Sequence, residues 1–174
     1  MHLLDSARSL AQRPRVVVLG SSSLLAHKPS LGESGQPLET SYDADLLLQP
    51  IDDEMASILA EGIGQQSLFA RRFGYYADIL RPAITESLPA GWESRLHPVP
   101  GYENVFALDP YDLALVKLVL GREKDLALLR ALLRLNILQP DRLRQHYQQA
   151  PMGEREMFTA GRNLQMLLRE TGLS

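Results

Sequence analysis

Apolar residues along this chain fall into two patterns. Short, unbroken apolar runs bounded by glycine or proline come first. "RVVVLG" at residues 15–20 is a β-branched run closed by Gly20, and it predicts a buried strand. "SYDADLLLQP" at 41–50 predicts a second strand ended by Pro50, and "GYYADILRP" at 74–82 a third. "SRLHPVP" and "NVFALD" are weaker strand candidates. The intervening stretches read differently. Residues 2–12 predict a short helix with Leu3, Leu4, Leu10 and Ala11 as its apolar stripe, stopped by Pro14. "SSSLLA" can start a helix, because serines near an N-terminus cap free amides. "HKPSLGESGQPLE", with two prolines and two glycines, predicts a loop. "DDEMASILAEGIG" predicts a helix that opens on acids, as the dipole favours, and ends at glycine.

From Asp109 the spacing becomes helical throughout. "DPYDLALVKLVLG" has Asp109 as a cap and Pro110 at the first helical position. "REKDLALLRALLRLN", "QPDRLRQHYQQA" and "EREMFTAGRNLQMLLRETG" predict three more helices. No internal repeat and no low-complexity tract interrupts them. The expected fold is α/β (α+β): residues 1–108 as a small mixed-sheet core flanked by helices, and 109–174 as a helical C-terminal region packed on it.

Composition narrows the function classes. With 174 residues, 45% of them hydrophobic, the chain can bury a real core. It has no cysteine, which excludes disulfides, thiolate zinc sites and a cysteine nucleophile, and fits a cytoplasmic setting. The N-terminal stretch is amphipathic and charged, unlike a signal peptide. No apolar run approaches the roughly 18 residues of a bilayer span, so no membrane partner is expected. The net charge of −3 means that nucleic-acid binding would need a local basic patch. Arg71, Arg72, Arg130, Arg134, Arg142 and Arg144 are candidates for one, and a solvated face is the preferred reading of them. His2, His27, His97 and His146 have no metal-ligand spacing and read as surface or core residues. Trp92 and Tyr102 read as packing residues rather than base-stacking ones.

The sharpest chemistry lies in the second strand. Alternate residues of a strand share a face, so Asp43 and Asp45 point the same way, about 6.6 Å apart along it. Two like charges this close repel, and a divalent cation relieves them. Asp78, in the third strand, has the same surroundings: apolar, acid, apolar. Neighbouring strands would make the three a carboxylate triad. The alternative is that these are strand-end acids facing water. The Gly20–Ser21 turn weighs against that, because its backbone amides at a helix N-terminus suit a triphosphate.

"LGSSSLL…ETSYDADLLL" resembles the signature of the DNA polymerase beta-type nucleotidyltransferase superfamily. The resemblance implies that Gly20 and Ser21 bind substrate and that Asp43 and Asp45 hold two Mg²⁺ (or Mn²⁺) ions. It implies a third carboxylate, here Asp78, as ligand or base. "VFALDPYDLALVKLVLGREKDLALLRALL" is similar to bacterial nucleotidyltransferase-like proteins related to the AbiEii toxin group. There Lys117 matches a phosphate-contacting lysine, with Arg122 and Asp125 near the site. Two features depart from the pattern. The segment between Ser21 and Asp43 is longer than usual, with the extra residues at 27–38, and Glu39 stands where relatives often carry arginine. The implied activity is transfer of a nucleoside monophosphate from an NTP to a hydroxyl on RNA such as tRNA, on protein or on a small molecule. The alternative is a catalytically weak or inactive nucleotide-binding or interaction module, one member of a toxin–antitoxin pair with a cognate antitoxin.

Overall fold

In the computed structural model, residues 2–11, 15–150 and 152–173 are described. Pro14, expected to stop the first helix, lies outside them. The chain divides into two compact units. One comprises Met1–Ile84 and Leu96–Leu108, the other Thr85–Arg95 and Asp109–Ser174.

The first unit is a mixed α/β layer. Strand β1 (Arg15–Val18) pairs antiparallel with β2 (Asp43–Gln49), with Val17 opposite Leu47. On its other side β1 runs parallel to β5 (Val105–Ala107), which pairs antiparallel with the two-residue β4 (His97–Pro98). β3 (Tyr76–Ile79) runs parallel to β2, giving the order β3-β2-β1-β5-β4. The apolar runs are continuous because both faces are covered where they cross the centre. Val16, Val18, Leu46 and Leu48 pack on one face with Leu3 and Ala7 of α1 (His2–Leu10) and Leu59 and Ile63 of α3 (Asp53–Ile63). Val17 and Leu47, on the other face, are also fully buried. The first helix therefore uses Ala7 in its stripe, whereas Leu10 is 38% exposed.

Local chemistry sets the helix ends. Asp52 caps α3 by accepting from the Met55 amide at 2.7 Å. The five-residue α2 (Ser23–His27) gives way to a 3₁₀ turn at Pro29–Gly32. The sequence reading did not mark α4 (Leu68–Phe73), which is capped by Ser67 and closed by Gly74 in the left-handed region.

The second unit is helical. Its helices are α5 (Pro110–Leu120), α6 (Glu123–Arg134), α7 (Pro140–Gln149) and α8 (Glu154–Thr171), with a 3₁₀ turn at Trp92–Arg95. Asp109 caps α5, accepting from the Tyr111 amide at 2.8 Å. α5 is buried around most of its girth and packs against α6, α7 and α8. At its end Asn163 donates to the Leu118 carbonyl at 2.7 Å, beside left-handed Gly121. Among the described residues no helix is long and apolar enough to cross a membrane.

Candidate active site

The glycine-serine turn and the aspartate strand meet directly. The β1–β2 ladder continues one step past Val18, with the Leu19 amide donating to the Asp45 carbonyl at 2.8 Å. The next residue, Gly20, has φ +55° and lies against the Asp45 side chain. A Cβ there would overlap a carboxylate oxygen of Asp45 and sit 2.8 Å from its Cγ. Glycine is therefore required twice, for the backbone conformation and for the space.

The turn is pinned by its own serines. Ser22 Oγ donates to the Leu19 carbonyl at 3.2 Å and Ser23 Oγ to the Gly20 carbonyl at 2.8 Å. Ser21 takes part in neither bond and is half-buried. The expected row of free helix amides is mostly engaged: those of Ser23, Leu24 and Leu25 bond back to the carbonyls of residues 20–22. One turn of helix also carries little dipole.

Three carboxylates share the strand face that the turn borders. Asp43 and Asp45 leave β2 on one side, while Ala44 and Leu46 face the core. On β3, Asp78 stands in register with Asp45, and Tyr76 with Asp43. Paired strands run about 4.8 Å apart, so the Asp45–Asp78 separation is one strand spacing. The Asp78 carboxyl is raised above its ordinary range, first by partial desolvation and then by the Asp43 charge. The Tyr76 phenol is raised as well, by desolvation and then by Asp78, Asp43 and Asp45. All three negative charges thus reach one ring. An open cleft of about 1080 Å³ lies between the flank of α3 and residues 77–82, along the edge of the sheet.

A family model described as "Nucleotidyltransferase of unknown function (DUF6036)" matches residues 1–161. The chain belongs to this family. No curated protein and no solved structure matches it.

In the second unit, Lys117, Arg122 and Asp125 come together. Lys117 Nζ donates to Asp125 Oδ1 at 2.8 Å, with the two side chains 9% and 1% exposed. Arg122 Nε donates to the other oxygen of the same carboxylate. Burial pushes the Asp125 carboxyl up, but the hydrogen bonds and charges of Arg122 and Lys117 outweigh it, and the net shift is downward. Lys117 keeps two further donors on its ammonium.

A second carboxylate group went unrecognised in the sequence. Oxygens of Asp109 and Asp112 and a ring nitrogen of His146 lie within 4.8 Å of one another. Asp112 is fully buried, receives Arg95 Nε and Nη2 at 2.9 Å each, and has His146 Nε2 at 2.8 Å. Arg95 already supplies the positive charge that a metal would, and Asp109 is engaged as a helix cap. Asp109 and Asp112 are three residues apart, but His146 lies 34 residues from Asp112 and Arg95 17, so sequence spacing could not reveal the group.

The remaining candidates have structural roles. Glu39 accepts from Ser34 Oγ at 3.1 Å and from the Gly35 amide at 2.8 Å, so the residue at the expected arginine position fastens the 27–38 loop. Arg130 pairs with Glu170 at 2.7 Å and Arg144 with Asp141 at 2.8 Å, while Arg142 lies over the Tyr111 ring. His27 stacks edge-on against His97 with centroids 4.7 Å apart. Trp92 is buried, and Tyr102 packs on the core of the first unit.

Proposed function

We propose that this nucleotidyltransferase moves a nucleoside monophosphate from an NTP to a hydroxyl acceptor with the help of Mg²⁺ or Mn²⁺. The observation that carries the reading is the register of Asp45 with Asp78, beside position 20, where the Asp45 carboxylate fills the space a Cβ would need. Three carboxylates from two adjacent strands form a hard-oxygen donor set, which suits these ions and not soft ones. Bound there, the ions would neutralise phosphate charge and polarise the reacting phosphoryl group.

The protein's residues act as follows. Asp43 and Asp45 would hold the ions. Asp78 completes the set or takes the proton from the acceptor hydroxyl, and its raised pKa favours the second task. The acceptor oxygen bonds to the α-phosphorus, and the bond to pyrophosphate breaks. Gly20 lets the backbone come close, and Ser21 offers its hydroxyl and amide to phosphate oxygens. The resemblance assigns Lys117 to phosphate contact, and within the second unit Asp125 holds its ammonium, itself held by Arg122. Positioning and charge neutralisation supply most of the rate enhancement.

The acceptor is RNA such as tRNA, a protein or a small molecule. The similarity to the AbiEii group favours RNA and a cytoplasmic toxin–antitoxin setting. A second reading draws on Glu39: with no arginine there to face a phosphate, the site binds nucleotide without turning it over. The experiment is transfer of label from each α-³²P NTP, with Mg²⁺ or Mn²⁺, to total RNA or to a soluble extract. Label that disappears with Asp43→Ala/Asp45→Ala supports the transferase. Nucleotide-dependent stabilisation without any label supports the second reading.

A further inference from the structure

We infer that the outward stripe of α8 docks on the outward stripe of α3 in a second copy of this chain. The contact is independent of the chemistry proposed at the aspartates. The α8 stripe is basic. Ala160, Leu164, Leu167 and Leu168 set the buried side of that helix. Helical spacing puts Arg155, Phe158, Arg162, Met166 and Arg169 on the opposite side, and all five are exposed. The α3 stripe is acidic. Leu59 and Ile63 face the core, so Glu54, Ser57, Ile58 and Glu61 face outward, and all four are exposed.

The two stripes match in charge and in spacing. Glu54 and Glu61 are seven residues apart, and so are Arg155 and Arg162, which is about 10.5 Å along either helix. On each stripe an exposed apolar side chain stands between the charges: Ile58 on α3, 41% exposed, and Phe158 on α8, 74% exposed. Among the described residues, none of the four charged side chains has a hydrogen-bond or ion-pair partner in its own chain. Helices laid face to face therefore pair both acids with both arginines and cover Ile58 and Phe158 in the same contact. Burial of the two apolar side chains supplies the attraction, and the charges fix partner and register. Pairing α8 with α8, or α3 with α3, would oppose like charges. One helix pair buries less than a standard interface, so the association is weak, in the range of roughly 10–500 µM. Each copy carries both stripes, so the contact closes a ring or propagates.

The test is analytical ultracentrifugation of the full chain from roughly 5 µM to 1 mM, at low and at high salt. Wild type should gain mass with concentration, and less so at high salt. Glu54→Arg/Glu61→Arg and Arg155→Glu/Arg162→Glu each carry two stripes of one charge, and each should stay monomeric across the range. Mixed in equal amounts they should associate again, because the acidic α8 of one meets the basic α3 of the other. That recovery also shows that both variants are folded. Phe158→Ser should weaken the association at least roughly threefold. A wild type that stays monomeric throughout overturns the inference. So does a charge-reversed variant that associates like wild type, a mixture that stays monomeric, or undiminished association of Phe158→Ser. A short RNA hairpin and poly-L-glutamate are titrated in parallel and followed by amide NMR shifts. Binding of either at residues 155–169 of a chain that does not self-associate gives the α8 stripe to that partner and overturns the contact between copies.

Discussion

Replacing Gly20 by alanine should damage both the fold and the metal site, and the structure gives the size of the effect. The first component is conformational: at φ +55° an L-residue costs about 1–2 kcal/mol. The second is steric, because the new methyl would overlap the Asp45 carboxylate and force that side chain off its rotamer. That adds roughly 1–2 kcal/mol. The sum, about 2–4 kcal/mol, should appear as a lower urea midpoint with an unchanged m-value. A double-mutant cycle separates the two parts. Gly20→Ala/Asp45→Ala removes the overlapping carboxylate and leaves only the Asp45 Cβ, 3.3 Å from the new methyl. The steric part should vanish, giving a coupling of about 1–2 kcal/mol in favour of the double mutant. Mn²⁺ binding should be lost in all three variants. Additive effects, or a Gly20→Ala protein as stable as wild type, would refute the contact between the turn and Asp45.

Other substitutions have equally definite outcomes. Asp78→Asn should raise the melting temperature of the metal-free protein while abolishing transfer. The folded carboxyl titrates above its ordinary value, so its ionisation opposes folding as pH rises from about 3.8 through the raised value; solvent screening keeps the gain under about 1 kcal/mol. Asp125→Asn leaves buried Lys117 without its partner and should cost about 3–5 kcal/mol at pH 7. The folded pKa of Asp125 is depressed, so its contribution is fully present above about pH 3.8 and fades as pH falls through the lower folded value. Denaturant melts from pH 2 to 7 should show wild type and variant converging at the acid end, and parallel curves would contradict the ion pair. Glu39→Ala should speed hydrogen exchange at the Gly35 amide and protease cleavage within 33–41, with under about 1 kcal/mol lost overall.

How legible each feature was depended on how local its cause is. β1 and β2 could be read because VVV and LLL can only be buried from both sides. Asp43 and Asp45 stood out because acids at alternate positions conflict with such a run. Asp78 could be named from strand character alone, but its register with Asp45 depends on β2–β3 pairing, which no local pattern encodes. The serine turn was located correctly and its amides were not, because Pro29 soon follows and cuts α2 to one turn. α4 escaped notice because six residues give too short a period, although Ser67 and Gly74 bracket it. Glu39 is visible as a departure from the family pattern, but its bond to Gly35 emerges only from the loop's path. Arg95, Asp112 and His146 meet through tertiary packing alone, and the cleft along the sheet edge is assembled from three separate segments.

The central claim is that Asp43, Asp45 and Asp78 hold the ions of an NTP-binding site. It is tested most directly by calorimetric titration of Mn²⁺ with a non-hydrolysable NTP into wild type, Asp45→Asn and Asp109→Asn. The account predicts strong binding to wild type and Asp109→Asn, and none to Asp45→Asn. Binding that survives in Asp45→Asn and disappears in Asp109→Asn would contradict it and move the metal to the Asp109–Asp112–His146 group.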